Sequence, residues 1–135
     1  MRKCISTSEA PAAIGPYSQA VRAGDFLFIS GQLPLDPTTG LLVDGTIQSK
    51  TGRILSNLKA ILRAAGMGLE DVVKATVYLK DIKDFAAMNE TYATFFPKDP
   101  PARVALQVAR LPKDADIEIE AVAFAAGLVD NARRL

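Results

Sequence analysis

The chain has 135 residues, 49% of them hydrophobic and 23% charged, with a formal net charge of +1. This size suits one domain over residues 1–135, and the charge gives no global pull toward nucleic acid, membranes or acidic substrates. A single cysteine excludes an internal disulfide framework, and the absence of histidine removes the commonest general base and metal ligand.

No apolar run approaches the roughly 18 residues of a membrane span, and no apolar signal core follows Arg2 and Lys3, so the expected compartment is the cytoplasm. Cys4 lies near an N-terminus read as mobile and is given no role. From Tyr17 the chain runs through Ser-Gln-Ala-Val-Arg-Ala to a Gly24-Asp25 turn signal and then Phe26-Leu27-Phe28-Ile29-Ser30-Gly31, which predicts a β-hairpin. Pro34, Pro37 and Gly40 break regular structure after it. Ile47, Ile54, Leu55, Leu58, Ile61, Leu62 and Ala65 then recur at helical spacing, with Thr46 as N-cap and Gly66 and Gly68 as stops. Lys50, Arg53, Lys59 and Arg63 read as the solvated face of that helix.

Between Val72 and Leu79, Val73, Ala75, Val77 and Leu79 alternate with Lys74, Thr76 and Tyr78, the period of a strand. Asp84 is placed to cap a second helix with an apolar stripe of Phe85, Met88, Tyr92, Phe95 and Phe96, stopped by Pro97. Two further strands follow. Val104, Leu106 and Val108 alternate with Arg103, Ala105 and Gln107; beyond Pro112-Lys113-Asp114, Ile117, Ile119 and Ala121 alternate with Glu118, Glu120 and Val122. The short link predicts an antiparallel hairpin. Matching its apolar faces puts Arg103 across from Glu120 on one sheet face, at the roughly 5 to 8 Å of cross-strand neighbours. That geometry allows either a structural ion pair or a shared ligand pocket. Residues 125–135 read as a small packed helix or a frayed end.

The order β-β-α-β-α-β-β predicts an α+β fold with both helices on one sheet face. The opposite face, read as presenting Val122, Phe124 and Arg103, is too apolar to stand in water and marks an oligomer interface. Clefts between subunits are common ligand sites.

Several segments, taken together and in order, resemble the RidA (YjgF-like) family of imine deaminases. They are Ala10-Pro11-Ala12-Ala13-Ile14-Gly15-Pro16-Tyr17-Ser18-Gln19-Ala20, Ser30-Gly31-Gln32, Asn57-Leu58-Lys59-Ala60-Ile61-Leu62 and Val72-Val73-Lys74-Ala75-Thr76-Val77-Tyr78. Met88-Asn89-Glu90-Thr91-Tyr92, Pro101-Ala102-Arg103 and Ile117-Glu118-Ile119-Glu120-Ala121 complete the set. The resemblance implies a chorismate-mutase-like fold, a homotrimer with clefts between neighbouring subunits, and cofactor-free hydrolysis of 2-imino acids to 2-keto acids and ammonia. Such imines and their enamine tautomers are reactive, so the implied role is control of metabolite damage.

Carried onto this chain, the resemblance makes Arg103 the anchor for the substrate carboxylate, since a guanidinium presents a planar fork to it. Glu120 would hold the attacking water and stabilise the iminium; Glu118, on the same face, is the substitute for either role. Tyr17 would cap the cleft or orient water, Ser30 would donate to substrate or water, and the Gly31 backbone would approach closely. Asn89 would give a supporting contact across the subunit boundary. Ala105 stands where several family members carry cysteine, so it contributes only backbone groups. Two competing functions are weighed beside the enzyme: a non-catalytic sensor holding a 2-keto acid, and the single-strand RNA cleavage attached to some relatives. The second fits poorly with no histidine and a net charge of +1. Metal ligation and membrane partners are not expected.

Overall fold

The computed structural model describes residues 2–127, so the expected small helix or frayed end of the C-terminal tail lies outside the described residues. Ala20–Ala23 (β2) turns through Gly24-Asp25 into Phe26–Gln32 (β3), and Gly24 takes φ +61°, which costs a glycine little. Arg2–Ile5 adds a strand without a sequence signal, β1, paired antiparallel with β2. Cys4 is thus part of the sheet, where its sulfur accepts from Ser18 Oγ at 3.3 Å.

The first helix, α1, spans Ile47–Ala64, and the Thr46 side chain caps it by accepting from the Ser49 amide. Ile54, Leu55, Leu58, Ile61 and Leu62 are all but fully buried against the sheet. Lys50, read as solvated, instead pairs with Asp116. Asn57 shares the buried face: it donates to the Leu35 carbonyl at 3.0 Å and accepts from Arg53 Nε and Nη2. Asn57→Ala leaves that carbonyl unpaired, so denaturant unfolding should show a loss of about 1–3 kcal/mol.

Val72–Leu79 forms β4, but its inward set begins at Val72. Val72 pairs with Ala123 and Lys74 with Val122, so a bulge at Val73 turns that side chain outward. The second helix, α2, spans Phe85–Phe95 and buries Met88 and Tyr92. Asp84 occupies the N-cap position without capping; in the turn before it, the Asp81 side chain accepts from the Lys83 amide.

The largest departure from expectation concerns the last two strands. Ala102–Gln107 (β5) and Ile117–Phe124 (β6) do not form a hairpin. The six-stranded sheet has the order β1-β2-β3-β6-β4-β5, with β6 antiparallel to both β3 and β4, and β5 parallel to β4 outside it. In this order α2 forms a crossover that packs on the sheet, and β6 satisfies two backbone ladders rather than one.

Register then reverses the expected faces of β5. Arg103 lies beside Ala75 and Ala105 beside Val77, on the helix-covered face, while Val104 and Leu106 emerge on the other. Glu120, beside Thr76, is also on that other face. Arg103 and Glu120 therefore stand on opposite sides of the sheet. The open face keeps its expected apolar character without Arg103: Phe26, Phe28, Val104, Leu106 and Phe124 are exposed, and the Phe26 ring centre is 5.0 Å from that of Phe124.

Candidate functional site

The expected site residues fall into two groups within one chain. The first gathers at one end of the β3–β6 pair. Gly15-Pro16 bends the chain so that the Tyr17 amide bonds to the Gly15 carbonyl at 2.8 Å, and the Tyr17 ring is left half-exposed. Buried Gln19 fixes the preceding loop, accepting from the Thr7 amide and donating to the carbonyls of Thr7 and Pro11. Ser30 and Gly31 form a bulge, since Ile29 pairs with Ala121 and Gln32 with Ile119. Bulges redirect side chains at strand ends. The Ser30 hydroxyl donates to the Ser18 carbonyl at 2.6 Å, which leaves its oxygen free only to accept.

Gly31 is needed for space rather than for backbone freedom. A Cβ there would stand 2.9 Å from Glu118 Cδ, so only glycine lets the carboxyl lie over the bulge. Tyr17, Gln19, Ser30, Gly31, Lys113 and Glu118 line a cleft of about 440 Å³. Half-burial, followed by the nearby Glu120 charge, pushes the Glu118 carboxyl above the usual range. Lys113 reaches the cleft from a left-handed backbone, φ 59°, that no sequence pattern announced.

Glu120 is placed differently from expectation. Its Oε1 accepts from the Tyr78 hydroxyl at 2.5 Å, in a small recess of about 170 Å³ with Phe28, Lys74 and Thr76. The bond to Glu120, helped by desolvation, pushes Tyr78 up to about 12. The folded state therefore holds this proton more tightly than the unfolded chain. The associated stability is present below about pH 10 and lost as pH rises through about 12. In Glu120→Gln, the alkaline absorbance titration of Tyr78 should move back toward 10.

The second group lies on the helix-covered face at β5. Arg103 Nη1 donates to Asn89 Oδ1 at 2.7 Å, and its guanidinium carbon is 5.3 Å from the Phe85 ring centre and 4.8 Å from that of Tyr92. The ion pairs among the described residues are Lys50–Asp116 and Arg110–Asp114, so Arg103 has no carboxylate partner there. Asn89 is thus a partner of Arg103 within the same chain. Ala105, beside Val77, packs against the core.

The register explains why the groups separate: Arg103 and the Glu118 cleft lie on different strands and different faces. The family resemblance ranks Glu120 ahead of Glu118, and alternation, which gives both the same parity, offers no correction; in the structure it is Glu118 that lines the cleft with Tyr17, Ser30 and Gly31. Phe85 and Tyr92 were read only as core. A further hollow of about 420 Å³, between the ends of the helices and lined by Lys59, Arg63, Met67 and Phe96, contains none of these candidates. Among the described residues, no three His, Cys, Asp or Glu side chains gather as metal ligands would, and no helix is long and apolar enough to cross a membrane.

Known proteins share this arrangement along almost the whole chain. A family model described as endoribonuclease L-PSP matches residues 7–125. A RutC family protein of Pyrococcus horikoshii is 60% identical, over 92% of this chain and 98% of its own. The 2-iminobutanoate/2-iminopropanoate deaminase of Mus musculus is 52% identical over 91% of each chain. Among solved structures, RidA from an Antarctic Psychrobacter is 46% identical with a TM-score of 0.88, covering 91% of this chain and 99% of that one. E. coli TdcF with bound serine is also 46% identical, at TM-score 0.88 over 92% and 99%. A family model matching residues 7–125 and relatives of this identity and coverage, with solved structures of the same fold, show that the chain belongs to the RidA/YjgF family.

Proposed function

We propose that the protein hydrolyses small 2-imino acids, such as 2-iminobutanoate and 2-iminopropanoate, or their enamine tautomers, to 2-keto acids and ammonia. The observation that carries this reading is Arg103, an oriented guanidinium with Asn89 on one nitrogen and no carboxylate among the described residues. A partly buried cation of this kind is completed by an anionic ligand. The 52% identity to a deaminase supports the chemistry, and the serine held by a related structure supports a small carboxylate as ligand.

The active species in this reading is a cytoplasmic homotrimer. Its contact surface is the open apolar face of Phe26, Phe28, Val104, Leu106 and Phe124. Packing three copies on that face brings Arg103 of one subunit to the Tyr17–Ser30–Gly31–Glu118 cleft of the next. Arg103 holds the substrate carboxylate and so fixes the adjacent imine carbon. Glu118 holds a water and takes its proton as the oxygen bonds to that carbon. Glu118 passes that proton to the amino nitrogen and then takes the hydroxyl proton as the C=O forms and the C–N bond breaks, releasing ammonia and the 2-keto acid. Tyr17 closes the cleft, and the Ser30 oxygen accepts from the water or the substrate N–H.

The test follows ammonia release above the buffer rate while an amino-acid oxidase generates the imine, with sedimentation equilibrium reporting the assembly. Acceleration by a three-chain species is expected. A folded protein that accelerates nothing yet binds 2-oxobutanoate overturns the enzyme reading in favour of a carboxylate receptor. Salt-dependent RNA binding and cleavage overturns both.

A further inference from the structure

Phe85, Asn89 and Tyr92 occupy successive turns on one side of α2. Residues 85 and 92 are two helical turns apart, about 10.5 Å along the axis. The Arg103 guanidinium carbon is 5.3 Å from the Phe85 ring centre and 4.8 Å from the Tyr92 ring centre, and Asn89, in the turn between those residues, accepts from Nη1. Both distances lie within cation–π range. Ring faces at such distances restrain the tilt of a guanidinium plane, and a hydrogen bond to one of its nitrogens restrains its rotation. Among the described residues, Nε and Nη2 make no hydrogen bond, and these nitrogens form one edge of the guanidinium.

We propose that Phe85 and Tyr92 are positioning residues: their ring faces clamp the Arg103 guanidinium so that its Nε–Nη2 edge is a preset fork for the ligand carboxylate. The proposal rests on the functional reading above. It gives Tyr92 a division of labour. Its ring does the work, whereas its hydroxyl is buried with no partner among the described residues and adds nothing to the clamp. An unrestrained arginine loses rotamer freedom on binding, so a clamp in place beforehand tightens binding without adding a contact to the ligand.

The experiment compares wild type with Tyr92→Phe, Tyr92→Leu and Phe85→Leu. The Arg103 Nε–H signal in a ¹H–¹⁵N spectrum reports the clamp directly, being ring-current shifted and slow to exchange with water when the plane is held. Wild type and Tyr92→Phe should retain that signal, and both leucine variants should lose it. KM for 2-iminobutanoate and Kd for 2-oxobutanoate should rise about tenfold in the leucine variants, while Tyr92→Phe stays within about twofold. In an Arg103→Ala background, Tyr92→Leu should change neither constant further. A Tyr92→Phe variant as impaired as Tyr92→Leu overturns the ring assignment. Leucine variants that fold with wild-type signal and constants overturn the clamp; if Tyr92→Leu does not fold, Phe85→Leu decides. If wild type neither hydrolyses the imine nor binds 2-oxobutanoate, the functional reading fails, and the Nε–H signal still judges the clamp.

Discussion

Arg103→Ala is expected to lower kcat/KM by about 10²- to 10³-fold while the protein still folds and assembles. The asymmetry follows from its partners. Among the described residues the Arg103 side chain hydrogen-bonds only Asn89 and rests against two rings, so truncation breaks no ion pair there. What is lost is the anchor that fixes the imine carbon, and with it the orientation of the reacting atoms. Arg103→Lys should recover little, because an ammonium presents neither a planar fork nor a face to Phe85 and Tyr92. Steady-state kinetics beside thermal unfolding checks the claim. A variant with unchanged melting and near-wild-type turnover would remove Arg103 from the site.

The two carboxylates of β6 should separate as clearly. Glu118→Gln is expected to cost about 10²- to 10⁴-fold in kcat, since it removes the proton acceptor from the cleft, whereas Glu120→Gln should stay within about tenfold. Burial and the Glu120 charge raise the Glu118 pKa, so the acid limb of the wild-type pH–rate profile should lie above the ordinary carboxylate range. The same shift gives a signed stability effect. A carboxyl that holds its proton more tightly when folded contributes stability below its unfolded pKa and loses it as pH rises through the folded value. Near neutral pH, Glu118 is thus a burden on the fold. Glu118→Gln should melt no lower than wild type, and higher if the amide is accommodated over Gly31. Equal loss of rate in both variants would sink the assignment.

Most local signals of the sequence carry through to the structure, Asp84 as a cap excepted, and the non-local pairings do not. The Gly24-Asp25 turn, the Thr46 cap, the α1 stripe and the stop before Pro97 each depend on neighbours in the chain, and each stands as expected. The β5–β6 hairpin failed because pairing between distant strands, β6 with β3 and β4, outweighed the short link. The faces of β5 failed for a related reason. Alternation says which residues are apolar, not which side the helices cover, and here Val104 and Leu106 lie on the side away from them. A sheet with two apolar faces defeats the rule that apolar means facing the helices. A bulge accounts for a further departure. One extra residue at Val73 shifts the inward set of β4. Residue type and the family pattern single out Arg103 and Asn89 in the sequence, whereas Phe85 and Tyr92, the rings beside the guanidinium, look like core residues only.

The position of β6 also bears on how the chain acquires its shape. The strands that precede it fall into two blocks, β1-β2-β3 and β4-β5, and no backbone ladder joins them until β6 enters between β3 and β4. During synthesis the middle of the sheet is therefore the last part to emerge from the ribosome. Each half waits with an unpaired inner edge, a template for wrong partners. The interval is prolonged because the β3–β6 contacts span most of the sequence and form slowly. A nascent copy is thus most open to misassembly just before its final strand is released.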